Sequence, residues 1–302
     1  MSDPVRRPSL LECCGAAVGF VSGMARPRRP DERLLRSITN AGLPAVSATV
    51  TVTALPQTPR WVPTAAVVEG RFRPPRIANA LTSFVIRHPE ATFVVDPAVC
   101  RDAEHRAIAQ LPAVLRVAVR PPADTIPTID ALGSIVPDFA LPTHAHWDHV
   151  CGLLDLPNLP VHLHRPEHDW VMSGPVAPVG GVRDSLRDRP LIRYDLDGPP
   201  VLTFPRSHDL FGDASVTLVD LAGHTPGSIG ILAHTPTGWI LLAGDAAWHH
   251  LQIDDIRQKS AYPGYFADHN RDATYQTLHR LHLARPHIRI IPTHDHTAAQ
   301  QL

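Results

Sequence analysis

From about residue 44 onward the chain reads as short apolar stretches punctuated by proline and glycine. Val46, Ala48, Val50, Val52 and Ala54 alternate with Ser47, Thr49, Thr51 and Thr53, the period of two that lines one face of a strand. Apolar runs at 65–68, 81–86 and 92–95 predict further strands. Helical stretches follow at 102–110 and 126–132, then a strand at 138–141. The second half repeats the style, with strands expected at 161–163, 216–221, 229–233, 239–243 and 287–292. Tyr275, Leu278 and Leu281 recur at a spacing of three, which predicts a helix over 271–283. Two strand-rich halves accompanied by helices predict two sheets packed together with helices outside.

The first 40 residues differ. A weakly apolar run at 10–25 is interrupted by Glu12 and flanked by Arg6, Arg7, Arg26, Arg28 and Arg29. It falls short of the roughly 20 apolar residues that span a bilayer, so no stable membrane insertion is expected. Basic residues ahead of an apolar stretch suit a targeting peptide, but Glu12 and the lack of a small-residue cleavage motif do not. The expectation is an N-terminal extension over 1–40, a short helix or arm packed on a domain spanning 41–302. Targeting or membrane-surface contact is the alternative.

Composition narrows the class. The net charge is -1, without the basic excess that nucleic-acid binding demands, so no nucleic-acid partner is expected. Four cysteines, Cys13, Cys14, Cys100 and Cys151, show no framework spacing and fit reduced thiols in a cytoplasmic protein. Lys259 is the only lysine, which reads as compositional bias. The 32 prolines predict short elements and stiff loops. The 19 histidines, many clustered, prompt the search for a metal site.

The strongest signal is Thr143-His144-Ala145-His146-Trp147-Asp148-His149, of the form H-x-H-x-D-H. In an extended segment His144 and His146 point to one side. Asp148 and His149 follow after the chain turns and can face a second point. One loop can thus serve two ions about 3.5–4 Å apart, the separation found in two-metal hydrolytic sites. More ligands are needed, and His224, Asp245 and His294 each follow a predicted strand. That repeated placement suits a site on one rim of a sheet sandwich.

With Asp96, these motifs in this order resemble the metallo-β-lactamase superfamily over roughly residues 44–302. The resemblance implies an α/β fold, an αββα sandwich of two mixed sheets with helices outside. It implies that His144, His146 and His224 hold one metal and Asp148, His149 and His294 a second, with Asp245 bridging. Asp96 would orient the histidine loop. The implied cofactor is two divalent ions per chain, zinc first, with iron or manganese as alternatives. His146 departs from the flavodiiron branch, which has glutamate there, and Asp245 from the zinc β-lactamases, which have cysteine. The flanking text, including the His88-Pro89-Glu90 turn, looks most like the N-acyl homoserine lactonase-related branch. One departure is Trp248, where such lactonases have tyrosine.

The expected function is therefore a dinuclear metal-dependent hydrolase. A bridging hydroxide, oriented by the catalytic carboxylates Asp148 and Asp245, would cleave a lactone or carboxylic ester in a small-molecule substrate. A glyoxalase-II-like thioesterase, a phosphodiesterase of the same fold, and a metal-binding module without turnover are the alternatives. The leaving group's proton would come from His249, Tyr262 or water. His296 competes with His294 as the last ligand, and His162, His164 and His168 form a second histidine cluster.

Overall fold

The computed structural model describes residues 5–302; the first four residues of the expected N-terminal extension lie outside the described residues. Thirteen strands are present among them: β1 (Thr51–Ala54), β2 (Arg60–Pro63), β3 (Arg76–Asn79), β4 (Phe84–Arg87), β5 (Thr92–Val95), β6 (Phe139–Leu141), β7 (Val161–His164), β8 (Leu191–Tyr194), β9 (Ser207–Asp209), β10 (Val216–Asp220), β11 (Ile229–Thr235), β12 (Gly238–Leu242) and β13 (Arg289–Ile291). One sheet runs β1-β4-β5-β6-β7-β8 and the other β13-β12-β11-β10-β9, with β2 and β3 forming a separate ribbon. Both sheets are mixed: β5 through β8 pair in parallel, as do β12 and β13, while the remaining pairs are antiparallel.

Alternating apolar positions explain the layering. Phe84, Ile86, Phe93, Val95 and Leu141 of the first sheet meet Leu218, Ile229, Ile231 and Leu242 of the second in one buried core. The opposite face of the second sheet, through Val219, Leu232 and Leu241, packs on Tyr275, Leu278 and Leu281. These last three lie on the helix Arg271–Ala284, where spacing three to four puts them on one side. Val94, Ala140 and Leu163 on the outer face of the first sheet pack on Val150, Leu153 and Val171. The order is helix, sheet, sheet, helix, as expected.

Two local expectations are corrected. The run at 65–68 lies in the helix Thr64–Val67 and at its C-cap, Val68, rather than in a strand. Four apolar residues carry too little periodicity to separate the two states, and Pro63 just ahead suits a helix start. Of the alternating stretch 46–54, only β1 pairs with β4. The Val50 N–H instead donates to His234 O (2.8 Å), and His234 Nδ1 meets Ala48 O at 2.9 Å, so the chain leans toward the other sheet before joining the first.

The run at 10–25 forms the helix Leu10–Ala25, started by a reciprocal cap. Ser9 Oγ accepts from the Glu12 N–H, and the Glu12 carboxylate accepts from the Ser9 N–H. Its inner face carries Ala16, which packs with Leu115 and Phe266. No helix among the described residues is long and apolar enough to cross a membrane.

Candidate metal centre

Five segments leave the C-terminal ends of their strands on the same rim: Asp96 after β5, His144–His149 after β6, His224 after β10, Asp245 after β12 and His294 after β13. Asp96, fully buried, ties three of them together. Its Oδ1 accepts from the Thr143 N–H at 2.6 Å, and Thr143 Oγ1 donates to the same carboxylate. Thr293 Oγ1 donates to Oδ2 at 3.2 Å, and His149 Nδ1 lies 2.9 Å from that oxygen. Gly244 makes the approach of the Asp245 loop feasible. Its φ is +51°, and a Cβ there would sit 2.6 Å from Thr143 Oγ1.

All seven expected ligands converge. His144 Nε2 lies 3.1 Å from His146 Nδ1, which lies 2.9 Å from His224 Nε2. Asp148, His149 and His294 form a second group beside it, with His294 Nε2 3.6 Å from Asp148 Oδ2. Asp245 stands between them. Its Oδ2 is 3.3 Å from His224 Nε2, while its Oδ1 is 3.2 Å from His149 Nε2 and 3.1 Å from His294 Nε2.

These residues fit cations. His146 Nδ1 lies within about 3 Å of both His144 Nε2 and His224 Nε2, and one ring nitrogen, with a single lone pair or a single N–H, cannot satisfy both; a shared ion resolves that. Asp245 Oδ1 is buried without a hydrogen bond, although buried polar atoms are normally paired. Imidazole and carboxylate donors suit zinc, and imidazole also suits iron.

Electrostatics divide the cluster. Burial and then the neighbouring imidazoles hold His144 and His146 well below the usual histidine range, in the neutral form that ligates. Burial also pulls His149 and His294 down, but Asp96 and Asp245 outweigh it for His149, and Asp245 with Asp148 for His294, so both lie raised. Burial pushes the Asp245 carboxyl up, yet His294 and His149 overcome this and hold it well below the carboxylate range.

Partners behind the expected ligands orient the rings. His294 Nδ1 meets Ala80 O at 2.9 Å and His224 Nδ1 meets Asp268 Oδ1 at 2.9 Å, leaving each Nε2 to face the centre. Sequence reasoning missed Asp268, and it also read Lys259 as compositional bias. Lys259 Nζ, buried, donates to Asp268 Oδ1 (2.8 Å) and Asp245 O (2.7 Å). A single lysine in an arginine-rich chain was the signal available. Glu167 was also missed. Its carboxylate accepts from the Ala145 N–H (2.7 Å), Thr225 Oγ1 (2.6 Å) and the Gly227 N–H (3.0 Å), clamping the His144–His149 and His224 loops together.

Among the other histidines, His296 begins the helix His296–Ala299, away from the cluster formed by His294. His249 and His250 gather with Asp295, but backbone caps already engage His249 and Asp295, and His250 Nδ1 meets Asp295 Oδ2 at 2.6 Å. His249 Nδ1 accepts from the Leu251 N–H, and Asp295 accepts from the His250 and Ala298 N–H groups. His162, His164 and His168 part ways: His162 stacks on Phe139, His164 Nδ1 meets Gly227 O, and His168 meets Asp169.

A cavity of about 550 Å³ opens over the cluster. Asp148, His224 and Asp245 line its floor, and its walls include Val62, Leu111, Leu115 and Phe266. Trp248 and Tyr262 also line it, whereas His249 and Tyr265 do not. Trp248 Nε1 donates to Asp245 Oδ2 at 2.5 Å.

The family model described as "Metallo-beta-lactamase superfamily" matches residues 79–296. A probable metallo-hydrolase of Mycobacterium bovis is 28% identical over 171 residues, covering 51% of this chain and 53% of its own. The N-acyl homoserine lactonase AttM of Azorhizobium caulinodans is 28% identical over 130 residues, covering 43% and 47% respectively. The chain thus spans about half the length of the curated relatives it matches. A crystal structure of a quorum-quenching N-acyl homoserine lactone lactonase superposes with a TM-score of 0.60 at 15% identity, covering 84% of this chain and 96% of that one.

Proposed function

Because the chain belongs to the metallo-beta-lactamase superfamily, we propose that it is a dinuclear metal-dependent hydrolase of lactones or related carboxylic esters. The observation that carries this reading is the position of Asp245. One of its oxygens faces His224 and the other faces His149 and His294, on the floor of a largely apolar cavity. His144, His146 and His224 would hold one divalent ion and Asp148, His149 and His294 the other, with zinc the expected metal. Such a pair, when bound, supplies a hydroxide at neutral pH, by lowering the pKa of a shared water toward about 7, and a Lewis acid for the carbonyl.

The chain's own groups do the rest. Asp148 and Asp245 would orient the nucleophile, one of them accepting the single O–H of the hydroxide, so that a lone pair faces the carbonyl. Trp248 steadies Asp245 through its N–H, but an indole N–H donates hydrogen bonds without being acid enough to protonate a leaving group. Tyr262, which lines the cavity as His249 does not, would protonate the leaving alkoxide, with water as the other source. The apolar walls exclude water and bind an acyl or ring substituent, which supports an uncharged ester over a phosphodiester. The AttM relative, named as an N-acyl homoserine lactonase, supports the same direction.

The test is metal content of the purified protein alongside hydrolysis of acyl homoserine lactones, other lactones, aryl esters, S-acyl glutathione and a phosphodiester. Two metals per chain and lactone or ester turnover that a chelator abolishes are expected. Turnover confined to the thioester or the phosphodiester would overturn the substrate class, and absence of metal would overturn the mechanism.

A further inference from the structure

The helix Leu10–Ala25 is apolar on both sides. Its inner side is accounted for: Ala16 packs on Leu115 and Phe266, and Gly19 and Gly23 lie against Ala261 and Glu69. The outer side is not. Leu10 and Leu11 are each 85% exposed, Val18 71% and Val21 69%. At 100° per residue these four, with the exposed Cys14 and Ala17, fall within about 120° of the helix circumference. A helix that is apolar all round is ordinarily covered all round, and contiguous exposed apolar patches mark interaction surfaces. The helix's one charged residue, Glu12, is engaged by Arg6 and by its own cap.

The charge around this stripe indicates what covers it. Arg7 at one end, and Arg26 and Arg29 at the other, are exposed and have no acidic partner among the described residues. Beyond the C-terminal end, Gly70 packs on Pro27. The same loop then presents Phe72, 60% exposed, and the exposed Arg73. Tyr265, half exposed, borders the helix at Gly19. An exposed aliphatic stripe with aromatics beside it and arginines beyond both ends suits burial in an apolar layer edged by anionic headgroups. A second copy fits poorly. Pairing this helix with itself across a two-fold axis brings arginine against arginine in either orientation, with no acid among the outer residues Leu10, Leu11, Cys14, Ala17, Val18 and Val21 to offset them.

We infer that the helix Leu10–Ala25 and the loop carrying Phe72 seat this protein peripherally on an anionic lipid surface. Leu115 and Phe266, beneath the helix, are also walls of the cavity, so the seating surface lies one layer of side chains from the proposed substrate site. The seating itself does not depend on what the site hydrolyses.

The experiment is co-sedimentation of the full chain with vesicles of phosphatidylcholine mixed with phosphatidylglycerol, and with phosphatidylcholine alone, together with sedimentation velocity without lipid. Binding that prefers the anionic vesicles and weakens with salt is expected. Leu10→Asp with Val18→Asp should reduce it at least about tenfold, and Arg7→Gln, Arg26→Gln and Arg29→Gln together by roughly fivefold per arginine. Both variants alter exposed side chains only, and unchanged circular dichroism and metal content check that they fold. No vesicle binding by the parent, or binding that neither variant weakens, overturns the inference. A dimer that Leu10→Asp with Val18→Asp dissociates assigns the face to a second copy and overturns it equally.

Discussion

Lys259, the chain's only lysine, donates from its buried ammonium to Asp268 Oδ1 at 2.8 Å, and the same oxygen meets His224 Nδ1 at 2.9 Å. The pair therefore connects a structural ion pair to the orientation of a proposed ligand. Deleting one partner of a buried pair strands a charge and costs about 3–5 kcal/mol. Lys259→Met is expected to destabilise by this order. Adding Asp268→Asn should recover part of the loss. A double-mutant cycle by urea unfolding measures the coupling, and simple additivity of the two changes would show that Lys259 and Asp268 do not stabilise one another.

Asp96 accepts from Thr143 and Thr293 and faces His149 Nδ1. Asp96→Asn should lower metal affinity roughly 10–100-fold, as outer-shell carboxylates do. Chelator competition followed by metal analysis reads this directly. Asp245→Asn is expected to lose metal and activity together. A variant that keeps both metals and full turnover would show that the carboxylate does not bridge.

Trp248 donates to Asp245 Oδ2. Trp248→Phe keeps an aromatic ring and removes the donor. A hydrogen bond to a charged group is worth about 1.5–3 kcal/mol, so turnover should fall on the order of tenfold or more while metal content holds. Unchanged kcat in Trp248→Phe would leave the indole as cavity lining alone.

Far from the cavity, His88 stacks on Phe211 at 3.8 Å and its Nε2 lies 3.0 Å from Asp213 Oδ2. Burial raises the Asp213 carboxyl, but hydrogen bonds from His88 and Ser215 outweigh it and hold the pKa down to about 2. A depressed folded-state value means stability that is fully present above the ordinary 3.8 and lost as pH falls through about 2. Acid unfolding of the parent should steepen between these two values. Asp213→Asn should be less stable near neutrality and lack that added slope; parallel curves for parent and variant would contradict the linkage.

Legibility divides along the range of the interactions. His144, His146, Asp148 and His149 were visible because metal-binding residues at fixed short spacing are a local pattern, and a strand's period of two orients the first pair. His224, Asp245 and His294 were visible because each follows an apolar run that reads as a strand, and the ends of adjacent strands meet on one rim. The helix Thr64–Val67 was misread because four apolar residues satisfy both periods.

Glu167, Lys259 and Asp268 carry no local signature, since their partners lie on other loops: Glu167 meets Thr225 58 positions away, and Asp268 meets His224 44 positions away. The sequence by itself determined most of the elements and which residue types can bind metal, through periodicity and side-chain chemistry that act over a few residues. Only the tertiary structure decided which buried carboxylates and which lysine stand behind the ligands, and that an apolar helix face lies open beside the cavity. Those outcomes depend on how the sheets and helices pack, and packing brings together positions with no fixed separation along the chain.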